Sequence, residues 1–328
     1  MATILSSAAT AAAAPSLPSA IPAGPPLLVT VLAGNPATSA AILGCINTAN
    51  ATILRRLHPA VAAVVAGVPW ADKDTTVADV MLWRAALPAA VGGKVARLPP
   101  WAQWGPSTAP VGAALAGVID LDLPDCPSGV GRLLEHLPRS LRVLRVAGCQ
   151  GSFDGFRVEH LTSLEVLDCY NNFMTSSSLP PSLQELSLDF CYMSPLADFR
   201  HLRALRVLLI TYSTDSGSSR KVVDASSIAS LPPSLQELNL CGLYPWPAAV
   251  SLAHLVQLRV FCAIDSGIDV ATLASLPPCL VDLDVAGCIT LTRAASFAHL
   301  PALQSLNVKR CGIGDASLAS LPPRLAYL

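Results

Sequence analysis

The sequence predicts an α/β solenoid. Parallel strands form a curved sheet on the concave face, short helices or irregular returns form the convex face, and a small helical cap lies at the N-terminal side. Three observations carry this prediction. One short phrase recurs ten times, with apolar residues at relative positions 1, 4 and 6 and a small polar or sulfur-bearing residue at 9. The phrases start mostly 22 or 23 residues apart, with one step of 19 and one of 30, and a fixed period in the twenties marks stacked coils. Hydrophobic residues make up 52% of the 328 residues and charged residues only 13%, so much of the chain must be buried.

The chain before the repeats divides into three. Residues 1–37 are rich in Ala, Ser and Pro and have no periodic apolar face, so they are expected to be a disordered leader. No charged side chain occurs before Arg55. The start also lacks the basic residues of a secretory signal, and Pro15, Pro18, Pro22, Pro25 and Pro26 interrupt any spanning helix. Residues 38–97 turn helical. Ile42, Leu43, Ile46, Ile53, Leu54 and Leu57 recur at helical spacing, Pro59 opens a second helix over Val61, Val64 and Val65, and Pro69–Asp74 forms a turn. A third helix runs through Val77, Val80, Leu82, Trp83, Ala86 and Leu87 and stops near Gly92-Gly93. Residues 98–110, with Pro99-Pro-Trp-Ala-Gln-Trp-Gly-Pro106, read as a linker.

Residues 111–328 carry the phrase. It is clearest at Leu235, Leu238 and Leu240, at Leu280, Leu283, Val285 and Cys288, and at Leu303, Leu306, Val308 and Cys311. The same frame starts at Val118, Leu141, Leu164, Leu183, Leu205 and Leu258, and a last, cut-off copy holds Leu325 and Leu328. An open last coil would expose apolar core and a strand edge, so either the sequence is a fragment or a partner covers that coil. Positions 4 and 6 point inward and 3, 5 and 7 outward, because strand side chains alternate. Returns come in two alternating kinds. One ends Ser-Leu-Pro-Pro, at Ser178, Ser230, Ser275 and Ser320, and the other ends His-Leu, at His160, His201, His254 and His299. The repeated unit is therefore a pair of coils. Asp224, Asp269 and Asp315 sit where each would cap a short return helix. The insertion Ser213–Lys221 is expected to be an exposed loop.

The pattern resembles the leucine-rich repeat family, closest to its cysteine-containing, ribonuclease-inhibitor-like type, over roughly residues 111 to 328. That resemblance implies protein recognition on the concave strands. The helical trio at 38–97 resembles an F-box faintly, without that motif's Leu-Pro opening. The Leu-Pro-Pro-Ser-Leu-Gln-Glu-Leu phrases at 179 and 231 also resemble repeats of bacterial effector ligases, but those have a shorter period and a catalytic domain with no counterpart here.

Ten cysteines do not imply disulfides in this pattern. Cys126, Cys149, Cys191, Cys288 and Cys311 all hold position 9, which packing explains, and no C-x-x-C pair suggests zinc. Reduced thiols in a cytoplasmic protein are expected. Five of the six histidines, counting His136, share one structural slot. Cys45 and His58 lie near each other in sequence, but a lone Cys in an apolar helix is more often core than nucleophile.

The outward columns are where function is expected. They hold Asp120, Asp122, Arg145, Asp168, Tyr170, Glu185, Asp189, Glu237, Asn239, Asp282, Asp284, Asn307 and Lys309. Eight acids stand against two cations, which favours a protein partner with a basic surface. The net charge of −1 gives no argument for nucleic acid. No phosphate loop, nucleophile elbow or metalloprotease motif is present, and an open face offers no enclosure to shift a carboxylate pair. The expected function is a non-enzymatic protein-interaction scaffold without cofactor or metal. The alternative is the substrate-recognition subunit of a cullin-type ubiquitin ligase, whose F-box-like segment would dock an adaptor.

Overall fold

The computed structural model describes residues 27–71, 76–77, 80–95, 109–124, 133–147, 157–170, 173–174, 179–193, 198–211, 223–248 and 250–328. In chain order its strands are β1 (Thr76–Val77), β2 (Gly92–Val95), β3 (Asp120–Leu123), β4 (Val143–Ala147), β5 (Val166–Tyr170) and β6 (Phe173–Met174). These are followed by β7 (Glu185–Ser187), β8 (Tyr192–Met193), β9 (Val207–Leu209), β10 (Glu237–Asn239), β11 (Val260–Cys262), β12 (Asp282–Asp284) and β13 (Ser305–Asn307). All but β6 and β8 join one parallel sheet, in the order β1-β2-β3-β4-β5-β7-β9-β10-β11-β12-β13. Each strand pairs with its counterpart one coil away, so the fold is the leucine-rich repeat solenoid. The cut-off last phrase adds a rung: Ser305 bridges to Tyr327 in parallel.

The phrase explains the core. Position 1 residues Leu141, Leu164, Leu183, Leu235 and Leu280 are completely buried, and the position 4 and 6 residues Leu144, Leu167, Leu208, Phe261, Ala263 and Val285 are buried with them. Burial alternates along the strands of the large sheet from β3 onward, as in β4, where half-buried residues flank buried ones. A stripe of such side chains repeated coil after coil makes one continuous core. Position 9 thiols add a repeated tie. Cys288 donates to the Ala263 carbonyl at 3.0 Å and Cys311 to the Val285 carbonyl at 3.1 Å, while Cys191 meets the Cys169 carbonyl. Each reaches position 6 of the preceding coil. Cys126, Cys149 and the 213–221 loop lie outside the described residues.

The two kinds of return interlock. Ser230, Ser275 and Ser320 each accept a hydrogen bond from a backbone N–H of the preceding His-type return: Phe199 at 3.0 Å, Leu252 at 2.9 Å and Phe297 at 3.0 Å. Each hydroxyl then donates to the carbonyl three residues before it, at 2.6 to 2.7 Å. In the other direction His201 reaches the Leu179 carbonyl at 3.1 Å and His299 the Leu273 carbonyl at 3.0 Å, both on preceding Ser-type returns. Nε2 of His160 and of His254 is buried without a partner among the described residues. Asp224 and Asp269 cap their return helices, accepting from Ser227 N–H at 2.8 Å and Thr272 N–H at 2.7 Å. Asp315 does not: the cap position belongs to Gly314, and Asp315 is the first helical residue.

The N-terminal segment departs from the sequence expectation in three ways. Residues Leu27–Gly34, placed in the leader, form a helix, followed by helices Pro36–Leu43, Thr48–Leu54 and Pro59–Gly67. The third helix of the trio is shorter than expected, Val80–Ala86, and Val77 lies in β1 ahead of it. Gly92-Gly93 is not a helix stop but the start of β2, which pairs with β3. A Cβ on Gly93 would stand 2.8 Å from the Trp83 ring, so glycine here lets the indole lie on the strand. A further helix, Ala109–Ala114, runs from the end of the linker into the start of the repeats. The segment therefore shares the solenoid's sheet. Arg84 fastens it, donating to the carbonyls of Ala90 at 2.6 Å, Ala114 at 2.6 Å and Ala116 at 2.8 Å. Several residues of the helical apolar pattern point outward: Ile53 is 58% exposed, Leu57 62% and Leu82 69%. Residues 1–26, residues 98–108 of the linker and residues 72–74 of the turn lie outside the described residues.

Candidate functional site

The outward columns follow from the register. At position 3, Asp120, Val143, Val166, Glu185, Val207, Glu237, Val260, Asp282 and Ser305 face one another strand by strand. From β7 to β12 the column alternates acid and valine, and Ser305 follows on β13. Every acid there follows a Ser-type return and every valine a His-type return. Successive acids are thus two strands apart, about 9.6 Å. At position 5, Asp122, Arg145, Asp168, Ser187, Leu209, Asn239, Cys262, Asp284 and Asn307 form the neighbouring column.

Several of the acids are already engaged. Arg145 Nη1 lies 3.0 Å from Asp120 Oδ1, and Lys94 Nζ lies 3.7 Å from Asp122 Oδ2. Asp189 accepts from both the N–H and the hydroxyl of Thr211, at 3.0 and 2.8 Å. Asp284 accepts from Ala286 N–H at 3.1 Å and from Asn307 Nδ2 at 3.0 Å. Asn239 and Asn307 make the same turn two residues on, with Cys241 N–H at 3.0 Å and Lys309 N–H at 3.2 Å. These three Asx residues close the strand ends, a local duty that explains their recurrence. Glu185, Glu237 and Asp282 have no cation within ion-pair reach among the described residues, and neither does the exposed Lys309 have an acid.

Asp168 is the electrostatically unusual member. Burial pushes its carboxyl above the usual value, the Ser187 hydrogen bond pulls it back, Asp189 raises it and Arg145 lowers it. Beside it lies an aromatic pair. Tyr170 is 47% exposed and Phe190 39%, and their rings meet edge to face with centroids 5.4 Å apart. Phe190 holds φ 56, a left-handed conformation that a bulky residue adopts only under constraint. The equivalent position is Gly242 in one coil and Gly287 in another, both with positive φ.

The site thus contains two residues the phrase alone did not single out. Lys94 joins the position 5 column only because β2 pairs with β3. Phe190 sits at position 8, outside the strand columns, where three coils place Gly148, Gly242 and Gly287. The acid–valine alternation was also legible from the return types.

The arrangement has little to offer acid–base chemistry. Asp120 and Asp122 are each paired to a cation, and Asp284 is spent on hydrogen bonds. Among the described residues no group of three or more His, Cys, Asp or Glu is placed to hold a metal ion. An open groove of about 710 Å³ lies between the N-terminal helices, lined by Leu43, Cys45, Ile46, Asn47, Val68 and Trp70 with no acid or base among its walls. Cys45 donates to the Ala41 carbonyl at 3.3 Å, and His58 Nδ1 accepts from Ala60 N–H at 3.1 Å, so the two do not form a nucleophile–base pair. No helix among the described residues is long and apolar enough to cross a membrane.

No protein-family pattern matches the chain, and no curated protein matches it. Among solved structures it is similar to an internalin (inlF) from Listeria monocytogenes, at 14% identity over 85% of this chain and 93% of that one, with a TM-score of 0.45. It is also similar to YopM from Yersinia enterocolitica, at 22% identity over 72% of this chain and 44% of that one, with a TM-score of 0.39. Both likenesses are remote, so the site is built from this chain's own residues.

Proposed function

We propose that the chain is a non-enzymatic protein-binding scaffold of the cytoplasm whose partner lies across the outward columns of the sheet. The observation that carries this reading is the position 3 column, where Glu185, Glu237 and Asp282 recur two strands apart with valines between them. A partner that fits presents basic groups on one face at the same spacing, about 10 Å, close to the ~9.3 Å of one three-residue turn of a polyproline II segment. Tyr170 and Phe190 offer an adjoining apolar anchor, and Asp168 beside them favours an Arg or Lys over the ring faces. Such a partner is attracted by the column's charge mainly through association rate and selectivity.

Residues 38–97 serve in this reading as the cap of the first coil, supported by the β2–β3 ladder and the Arg84 bonds. One observation favours a second reading, an adaptor dock of the F-box kind: the outward apolar side chains Ile53, Leu57 and Leu82. One experiment separates the two. The tagged full chain, a Glu185→Lys/Glu237→Lys/Asp282→Lys form and an Ile53→Ser/Leu57→Ser/Leu82→Ser form are purified from the native cell, and bound proteins are identified by mass spectrometry. Loss of partners in the first variant alone supports the scaffold. Loss of an adaptor and cullin in the second alone supports the dock. Unchanged partners in both defeat both readings.

A further inference from the structure

One pair of side chains on the same face is not explained by packing or by recognition. Cys262 ends β11 at position 5, and Cys241 follows β10 at position 7 of the preceding coil. Their sulfurs lie 2.9 Å apart, although the residues are 21 positions apart in sequence. Both are free and half-buried. The other described thiols have different surroundings. Cys288 and Cys311 donate to carbonyls of the preceding coil. Cys279 lies between the Val256 and Leu258 carbonyls, at 3.1 and 3.2 Å, Cys169 and Cys191 are buried, and Cys45 is exposed on a separate helix.

We propose that Cys241 and Cys262 are a reversible disulfide site on the open face of the sheet, formed by exchange with a small-molecule disulfide of the oxidised-glutathione type. A disulfide bond is about 2.05 Å long, so the sulfurs close a gap of roughly 0.9 Å on bonding. Cys262 is the first nucleophile. The Cys241 thiol donates to its sulfur and holds it below the ordinary thiol value, against the opposing effect of burial, and Cys241 is pushed up in turn. The Cys262 thiolate attacks the reagent, one glutathione leaves as a thiolate, and a mixed disulfide remains on Cys262. Cys241 then loses its proton to solvent and attacks the Cys262 sulfur, and the second glutathione leaves. Two protein thiols are oxidised to one disulfide, the reagent is reduced to two thiols, and the two protons released pass to the two glutathiones.

The bond staples the end of β10 to β11 and fixes the sheet surface next to Asp284 and Asn239. The site stands without the scaffold reading, since it needs no protein partner. The test equilibrates the purified full chain in buffers of graded glutathione redox ratio, quenches with acid, alkylates free thiols and measures intact and tryptic masses. The expected result is loss of two of the ten thiols as a single step, with a mass deficit of two hydrogens and no stable glutathione adduct. The linked peptides are then residues 222–259 and 260–293, and fragmentation must assign sulfur 262 rather than 279 or 288. Cys241→Ser is expected to stall as a glutathione adduct on Cys262, and Cys262→Ser to stay reduced at Cys241. Retention of all ten thiols across the range, stable adducts in the wild-type chain, or a linkage through another cysteine would each overturn the proposal. None of those results bears on whether the acidic column binds a protein.

Discussion

Replacing Ser230 by alanine tests the interlock between coils most directly. Its hydroxyl makes two bonds of unequal consequence. It accepts from Phe199 N–H at 3.0 Å and donates to the Ser227 carbonyl at 2.6 Å. The Ser227 carbonyl keeps a backbone partner, Ser230 N–H at 3.1 Å. The Phe199 N–H has no second acceptor among the described residues, and Phe199 is 0% exposed and Ser230 4%. The variant therefore buries an unsatisfied amide, which costs about 2 kcal/mol, or a ~30-fold fall in the folded-to-unfolded ratio. Ser234 is the internal control. It donates only to the carbonyls of Leu205 at 2.8 Å and Arg203 at 3.0 Å, so Ser234→Ala orphans no donor and costs about 0.5 kcal/mol. Urea unfolding followed by circular dichroism measures both, and amide exchange at Phe199 locates the effect. Equal costs for the two variants, or unchanged exchange at Phe199, would refute the interlock.

Four further outcomes follow from the geometry. Arg84→Ala removes the guanidinium from the carbonyls of Ala90, Ala114 and Ala116; it is expected to cost about 3 kcal/mol and to speed proteolysis within residues 27–95 before the solenoid is cut. Asp168→Asn is expected to stabilise the fold at neutral pH. Burial raises the Asp168 carboxyl in the folded state, so its charged form opposes folding above that value, and the advantage of Asn should vanish as pH falls through the carboxylate range; paired urea titrations across pH check this. Asp224→Ala should cost about 1 kcal/mol as a lost helix cap. The Ser227 N–H holds the Asp224 carboxyl below its usual value, so the cap's contribution is present at neutral pH and is lost as pH falls through the folded value, which the same titrations read. In the partner complex, Tyr170→Ala together with Phe190→Gly should weaken binding about tenfold in calorimetry, with less effect on salt dependence than the Glu185, Glu237 and Asp282 reversals.

The contrast between the repeats and the N-terminal segment shows what a sequence can reveal. In the repeats, Leu144, Leu167, Leu208 and Leu283 follow a local period, and each coil confirms the next, so strand, register and inward face are legible together. In residues 38–97 the helical spacing of Ile53, Leu57 and Leu82 gave the helix but not the side that would be buried, because one helix has no repeat to fix its orientation. Gly92-Gly93 read as a stop because its strand identity depends on two distant partners, the Trp83 ring and β3. The same dependence hid Lys94. Asp122 looked like a free acid from its own neighbourhood, and only the pairing of Lys94 with Asp122 supplies its cation. Asp120 had its partner in view, since Arg145 lies one column over on the next strand, in the same repeat frame. Position 5 Asx residues were assigned to the partner, whereas the backbone two residues on claims their side-chain oxygens first.

The matched returns also impose a parity on the solenoid. Ser230 needs a His-type return before it, and His299 needs a Ser-type return before it. Removing one coil sets two returns of the same kind side by side, leaves a serine without its donor or a histidine without its acceptor, and shifts the acid–valine rhythm of the outward column by one strand. Removing or adding two coils restores both. Within the alternating stretch from Ser178 to Ser320 the matched bonds, and with them the ~9.6 Å spacing of the acids, are thus kept only when coils are lost or gained in pairs. Ahead of it, where the His-type returns of His136 and His160 follow one another, Nε2 of His160 has no partner among the described residues.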